Sequence, residues 1–243
     1  MIRAIFSAFA ILALILAFVI LAWIYFYFNC YYGFFSQKGI FRHGPVNKKS
    51  IAITFDDGPS EYTERILDIL KGKKIKATFF IVGKCAQQRP GIVKRIVKDG
   101  HEIGNHSFSH SRLYFRTKDF IEGQIKKTEK VIKELTGKRT NYFRPPNGRY
   151  TQKLRNIMIK NGYKIVLWTT SSHDWRNPGV NKIIGKSTKY LRNGDILLFH
   201  DGGSMLNHFW FRREQTIRAL PEVVNRIEAK KLKPVTISKL LKK

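Results

Sequence analysis

The chain has 243 residues, room for one large domain and a short further segment. Lys and Arg number 45 against 17 Asp and Glu, a formal net charge of +28. Such a field draws the molecule to anionic surfaces. The charge is spread along the chain with no nucleic-acid module or tight basic-aromatic cluster, which argues against specific nucleic-acid recognition. Two cysteines, Cys30 and Cys85, are too few for a disulfide framework and show no ligand spacing.

Residues 4–28 carry no charge. This run exceeds the ~20 residues a helix needs to cross a bilayer. Trp23, Tyr25, Tyr27, Tyr31 and Tyr32 stand at its C-terminal edge, where aromatic rings favour the interface. A cleaved signal peptide would have a shorter apolar core and small residues before the cleavage point. The sequence therefore predicts an uncleaved single-pass anchor over residues 1–32. Lys38, Arg42, Lys48 and Lys49 follow it and, by the positive-inside rule, would place the rest in the cytoplasm. The chemistry below favours the opposite, a catalytic domain outside the cytoplasm at the cell membrane.

Residues 33–49, with Gly39, Gly44 and Pro45, read as a linker. From residue 50 to 243 the pattern is that of one domain. Apolar β-rich runs at 51–55, 77–82, 101–104, 142–143, 164–168, 195–199 and 233–237 alternate with helical patterns. The clearest helix is 117–136, with Ile121, Ile125, Ile132 and Leu135 on one stripe. Others cover 62–70, 92–97, 154–159, 183–191 and 216–227. This alternation predicts an α/β fold with a parallel sheet closed as a barrel.

In such a barrel, reactive groups sit where strands end at their C-terminal side. Asp56 and Asp57 follow the first run, His106 and His110 the third, and Arg144 the fourth. Asp174 and Trp175 follow the fifth, and His200 and Asp201 the sixth. The histidine spacing places both rings on one side of a helical turn, where they could share a metal with either Asp56 or Asp57. The plain alternatives are surface histidines and a turn built on Asp-Asp-Gly-Pro. The carboxylate left over could act as a base oriented by Arg144. Backbone N–H groups beside Pro145-Pro146 could stabilise an oxyanion. His200 could protonate a leaving group, with Asp174 as its partner.

Five ordered segments carry a resemblance: Thr54-Phe55-Asp56-Asp57-Gly58-Pro59, His106-Ser107-Phe108-Ser109-His110, Arg144-Pro145-Pro146-Asn147-Gly148, Asp174-Trp175 and Leu198-Phe199-His200. Together they resemble the polysaccharide deacetylase, or NodB-homology, family of carbohydrate esterases. The resemblance implies a distorted (β/α)7 TIM-like barrel that removes N-acetyl groups from amino sugars of a peptidoglycan- or chitin-like glycan. It implies Asp56 as base and Asp57, His106 and His110 as ligands to a divalent ion, Zn2+ foremost, with Co2+ or another ion as alternatives. Arg144 would position Asp56, the backbone at Asn147 would stabilise the oxyanion, and Trp175 and Leu198 would line the acetyl pocket. His200 would be the acid, tuned by Asp174. The chain departs from the pattern at Ser171, where many members have Asp, and at Asn147, often Tyr. A lipid-linked or capsular sugar, a non-catalytic membrane-tethered glycan-binding module and a charge-driven anionic-polymer binder are the competing readings. The aromatic segment 206–212 reads as a loop that stacks on a sugar, dips into a membrane or packs locally.

Overall fold

The computed structural model describes residues 2–32, 39–203 and 212–242. Within its first helix, α1 (Ile2–Tyr32), side chains are described at Ser7 and over residues 9–25. Apolar side chains there, among them Leu14, Phe18 and Trp23, are exposed. Among the described residues no helix is long and apolar enough to cross a membrane. The structure thus corrects the expected spanning anchor to a helix of unassigned role.

Among the described residues nine strands follow: β1 (Ile40–Phe41), β2 (Ser50–Asp56), β3 (Thr78–Ile81), β4 (Glu102–Asn105), β5 (Tyr142–Phe143), β6 (Lys164–Val166), β7 (Thr170–Ser171), β8 (Ile196–His200) and β9 (Lys233–Val235). All pair in parallel in the order β1-β6-β5-β4-β3-β2-β8-β7, with β9 on β2. Parallel strands are covered on both faces, so they read as continuous apolar runs rather than alternating ones. β2 shows this, buried from Ile51 to Asp56.

The expected closed barrel is a half-barrel. Among the described residues β7 and β1, the two ends, do not pair, and each has only two residues to offer a ladder. Neither strand was visible as an apolar run. β1 arises inside the stretch read as linker, where the amide of Gly44 also bonds the Gly194 carbonyl at 2.7 Å.

The helices between strands are α2 (Glu61–Gly72), α3 (Gly83–Gln88), α4 (Pro90–Lys98), α5 (Lys118–Thr136), α6 (Gln152–Lys160), α7 (Val180–Thr188) and α8 (Glu214–Ala229), and α9 (Ile237–Leu240) follows β9. Their starts follow local chemistry. Ser60 and Thr63 form a capping box on α2, and Thr117 and Thr151 cap α5 and α6. α5 stops at Gly137, in the left-handed conformation with φ 69°. The main core lies between the sheet and α2, α4, α7 and α8, with Phe55 stacked on Phe79 at 5.0 Å. Cys85 is a buried free thiol that burial pushes up to about 11, an inert packing residue.

Candidate active site

Asp56 is the last residue of β2, buried beside the carboxyl ends of β3 and β8. Its Oδ1 accepts from Nη1 of Arg144 at 2.7 Å. Arg144 follows β5 and is fully buried. Its Nη1 also donates to Thr54, and its Nε and Nη2 donate to the carbonyls of Val166 and Leu167 at 3.0 and 3.1 Å. The guanidinium lies 4.0 Å from the Phe80 ring centre. Burial pulls the Arg144 pKa down and the Asp56 charge opposes this. Four donated bonds fix the fork, and the fork fixes the carboxylate.

Asp57 turns the chain away from β2 with φ 75°, left-handed backbone that costs energy in a residue other than Gly. Neighbouring Gly58 is required: a Cβ there would stand 2.1 Å from the Asp201 carboxylate. Asp201 locks this turn, donating its amide to the Asp56 carbonyl and accepting from Thr63 at 2.7 Å. Burial, with the charges of Asp57 and Asp56, pushes Asp201 up to about 7 against the Thr63 bond.

His106 and His110 follow β4, and the sequence expectation of a shared helical turn is wrong in detail. Residues 106–110 are irregular, with left-handed φ at Ser107 and His110 bringing the rings to 5.0 Å. The loop is held from α5 by Gln124, whose Oε1 accepts from the amides of Phe108 and Ser109 at 3.1 and 2.9 Å. Asn105 braces it by accepting from the Ser107 amide and donating to the Ile125 carbonyl.

Nδ1 of His106 lies 2.7 Å from the Arg144 carbonyl, which fixes it as the protonated nitrogen and leaves Nε2 as a ligand atom. Nε2 of His106 and Nε2 of His110 lie 3.4 and 3.1 Å from Asp57 Oδ1, and His106 Nε2 lies 3.7 Å from Asp56 Oδ2. One ligand atom from each of Asp57, His106 and His110 falls within 4.8 Å of the others. Two imidazoles and one carboxylate fit a divalent transition ion. Burial would raise Asp57, but the facing histidines bring it well below its ordinary value. Burial would lower His110, but the Asp57 charge raises it.

His200 ends β8, with Nδ1 2.7 Å from Asp174 Oδ1. Asp174 Oδ2 accepts from the His200 amide and from Thr216, each at 2.8 Å. Buried Arg213 lends a positive charge that lowers Asp174 further, after burial and His200 have acted. Burial would lower the His200 imidazolium, but Asp174 raises it to about 9.

Asn147 sits exposed at φ 59° in the turn Pro146–Gly148, whose own bonds run from the Gly148 and Arg149 amides. Trp175 is 43% exposed under the Arg176 guanidinium, and Leu198 is buried in β8. Asp56, Asp57, His106, His110 and Arg144 thus form one cluster, with His200 and Asp174 a second pair on the adjoining strand. Gln124, Thr63 and Thr216 support them from helices and were not singled out, because polar residues on helices look like solvated surface; Asn105 supports them from the end of β4. The aromatic segment 206–212 lies outside the described residues, apart from Arg212.

The polysaccharide deacetylase family profile matches residues 43–166. A peptidoglycan-N-acetylglucosamine deacetylase of Bacillus cereus is 38% identical over 201 residues, 82% of this chain and 91% of that protein. A chitooligosaccharide deacetylase of Azorhizobium caulinodans is 34% identical, covering 76% of this chain and 90% of that protein. Among solved structures, a peptidoglycan N-acetylglucosamine deacetylase matches with a TM-score of 0.79 and 32% identity over 84% of this chain and 92% of that one. A CE4 family pseudoenzyme from Bacillus anthracis matches with a TM-score of 0.76 and 27% identity over 84% of this chain and 69% of that one.

Proposed function

The chain belongs to the polysaccharide deacetylase family, and from that premise we propose that it hydrolyses N-acetyl groups on the amino sugars of a peptidoglycan- or chitin-like glycan, releasing acetate. One observation carries the reading: the three ligand atoms of Asp57, His106 and His110 converge beside a carboxylate, Asp56, that Arg144 holds out of their set.

In this proposal Asp57, His106 and His110 hold a divalent ion, Zn2+ foremost. When bound, the ion supplies Lewis acidity to the amide carbonyl and to water. Asp56, oriented by Arg144, accepts the proton of the attacking water. The backbone N–H at Asn147 donates to the oxygen that gains charge as the carbonyl carbon becomes tetrahedral. His200, held by Asp174 in the tautomer that leaves Nε2 facing the site, gives its proton to the nitrogen as the C–N bond breaks. The products are acetate and the free amine. Trp175 and Leu198 bound the space for the acetyl methyl.

The test is acetate release from N-acetylated glycans of defined sugar and length, with and without added Zn2+ or Co2+. Release from none of them would overturn the reading. We also place the catalytic domain outside the cytoplasm at the cell membrane, where wall glycans are assembled. The peptidoglycan deacetylases among the similar proteins support this, and the lysines after residue 37 oppose it. Protease added to intact spheroplasts decides the point: digestion is expected, and complete protection contradicts it.

A further inference from the structure

A groove of about 530 Å3 lies between edge strand β7 and helix α7, outside the chemistry above. Lys182, Lys186 and Lys189 line one wall, Thr170 and Ser171 the other, with Tyr190 at its margin. Spacings of four and three residues put the lysines on one side of α7. Among the described residues the lining holds no carboxylate, and none of the three lysines forms an ion pair. Lys189 instead lies 4.9 Å from the Tyr190 ring centre, and that ring is 68% exposed. The sequence departure noted at Ser171 falls in this groove, adding a hydroxyl and no negative charge.

The groove leads from the reactive rim. Ser171 pairs in register with Leu198, two residues before His200, and Asp174 follows three residues later. α7 starts on that rim and runs back down the open edge of the half-barrel, because β8 must begin at the opposite end to lie parallel to β7. Lys182 is therefore nearest the rim and Lys189 roughly 10 Å farther along, at 1.5 Å per residue. Uncompensated cations set side by side concentrate field there. An exposed tyrosine ring offers a flat, amphipathic face to a sugar.

We propose that this groove binds the anionic groups, phosphate or carboxylate, of a polymer whose amino sugar occupies the Asp-His cluster. The proposal rests on the deacetylase reading for the identity of that sugar, but the groove's affinity for anions can be measured without turnover.

The experiment compares equilibrium binding of poly(glycerol phosphate) and of polygalacturonate to three proteins over a range of salt. These are the full chain, the triple variant Lys182→Gln/Lys186→Gln/Lys189→Gln, and a charge-matched control, Lys71→Gln/Lys94→Gln/Lys98→Gln. The control lysines are exposed on α2 and α4. The groove variant is expected to lose roughly tenfold in affinity relative to the control for at least one polymer, with a flatter salt dependence. Loss confined to poly(glycerol phosphate) identifies phosphate, loss confined to polygalacturonate identifies carboxylate, and loss on both identifies anionic charge of either kind. Equal weakening of both variants, or no binding by the unaltered chain, overturns the proposal. Acetate release by the unaltered chain from a neutral N-acetylglucosamine oligomer is measured alongside. Its absence would overturn the deacetylase reading and leave the binding result standing.

Discussion

Replacing Asp174 by Asn should collapse the alkaline range of activity. The Asp174 carboxylate lies 2.7 Å from His200 Nδ1 and, against the effect of burial, raises the imidazolium to about 9. Asn removes the charge and keeps the burial, so the imidazole should titrate at or below the ~6.5 of a free histidine. At pH 8 the protonated fraction then falls from about 0.9 to about 0.03, a loss of about 30-fold in a step that needs imidazolium. The Asn oxygen can replace Oδ1 at His200. Its NH2 then faces the His200 amide and the Thr216 hydroxyl, which Oδ2 now serves. Thr216 can reverse its hydroxyl, but the amide loses its acceptor, a cost of ~1–3 kcal/mol in stability.

The assay is kcat/KM on an N-acetylated oligomer from pH 5.5 to 10, with thermal unfolding as a control for folding. The two proteins should converge at the acid end, where both imidazoles are protonated, and separate above pH 7. A variant whose alkaline limb stays with that of the unaltered protein, or that loses the same factor at every pH, would refute the reasoning. The pair also contributes to folding with a definite sign. His200, raised, stabilises below the free-imidazole pKa and loses this as pH rises through about 9, while Asp174, lowered, stabilises above the ordinary Asp range and loses this on acidification.

Three further outcomes are expected. Asp56→Asn should retain metal and lose ~10²–10⁴-fold in kcat, since an amide cannot take the proton; metal analysis beside kinetics checks this, and loss of metal with activity restored on readdition would reverse the roles of Asp56 and Asp57. His110→Ala should lose metal and activity together. In the unaltered protein metal affinity should fall on acidification through the raised His110 pKa, because the ion must displace a proton there; calorimetric titration at several pH values reads both, and full metal occupancy in the variant would sink the assignment. His101, whose pKa is lowered to about 4 by burial and then by Lys76, should make the fold acid-sensitive. Its stabilisation is present above pH 6.5 and is lost as pH falls toward 4, by up to roughly 3 kcal/mol. His101→Gln, which keeps an acceptor for the Ala77 amide, should flatten that dependence in thermal unfolding, and an unchanged slope would exclude His101 as its source.

Much of this was legible in the sequence for a physical reason. Parallel strands buried on both faces leave unbroken apolar runs, so β2, β3 and β8 announce themselves, and the candidate residues Asp56, His106, Arg144 and His200 stand where strands end. What escaped was structure made by few residues or by contact at a distance. β1 and β7 are two-residue strands, too short for periodicity, and their brevity leaves the barrel open. The approach of His106 to His110 depends on left-handed backbone at Ser107 and His110 and on Gln124, sixteen residues beyond Phe108. Spacing alone suggested a helical turn. Asp201 read as a neighbour of His200, whereas its carboxylate fills the space that Gly58 leaves open.

The ion that Asp57, His106 and His110 are proposed to hold can be tested directly. Chelator-stripped protein titrated with Zn2+ or Co2+, while acetate release from an N-acetylglucosamine oligomer is followed, should gain activity in proportion to added metal and stop at one ion per chain. Undiminished acetate release from the stripped protein would contradict it.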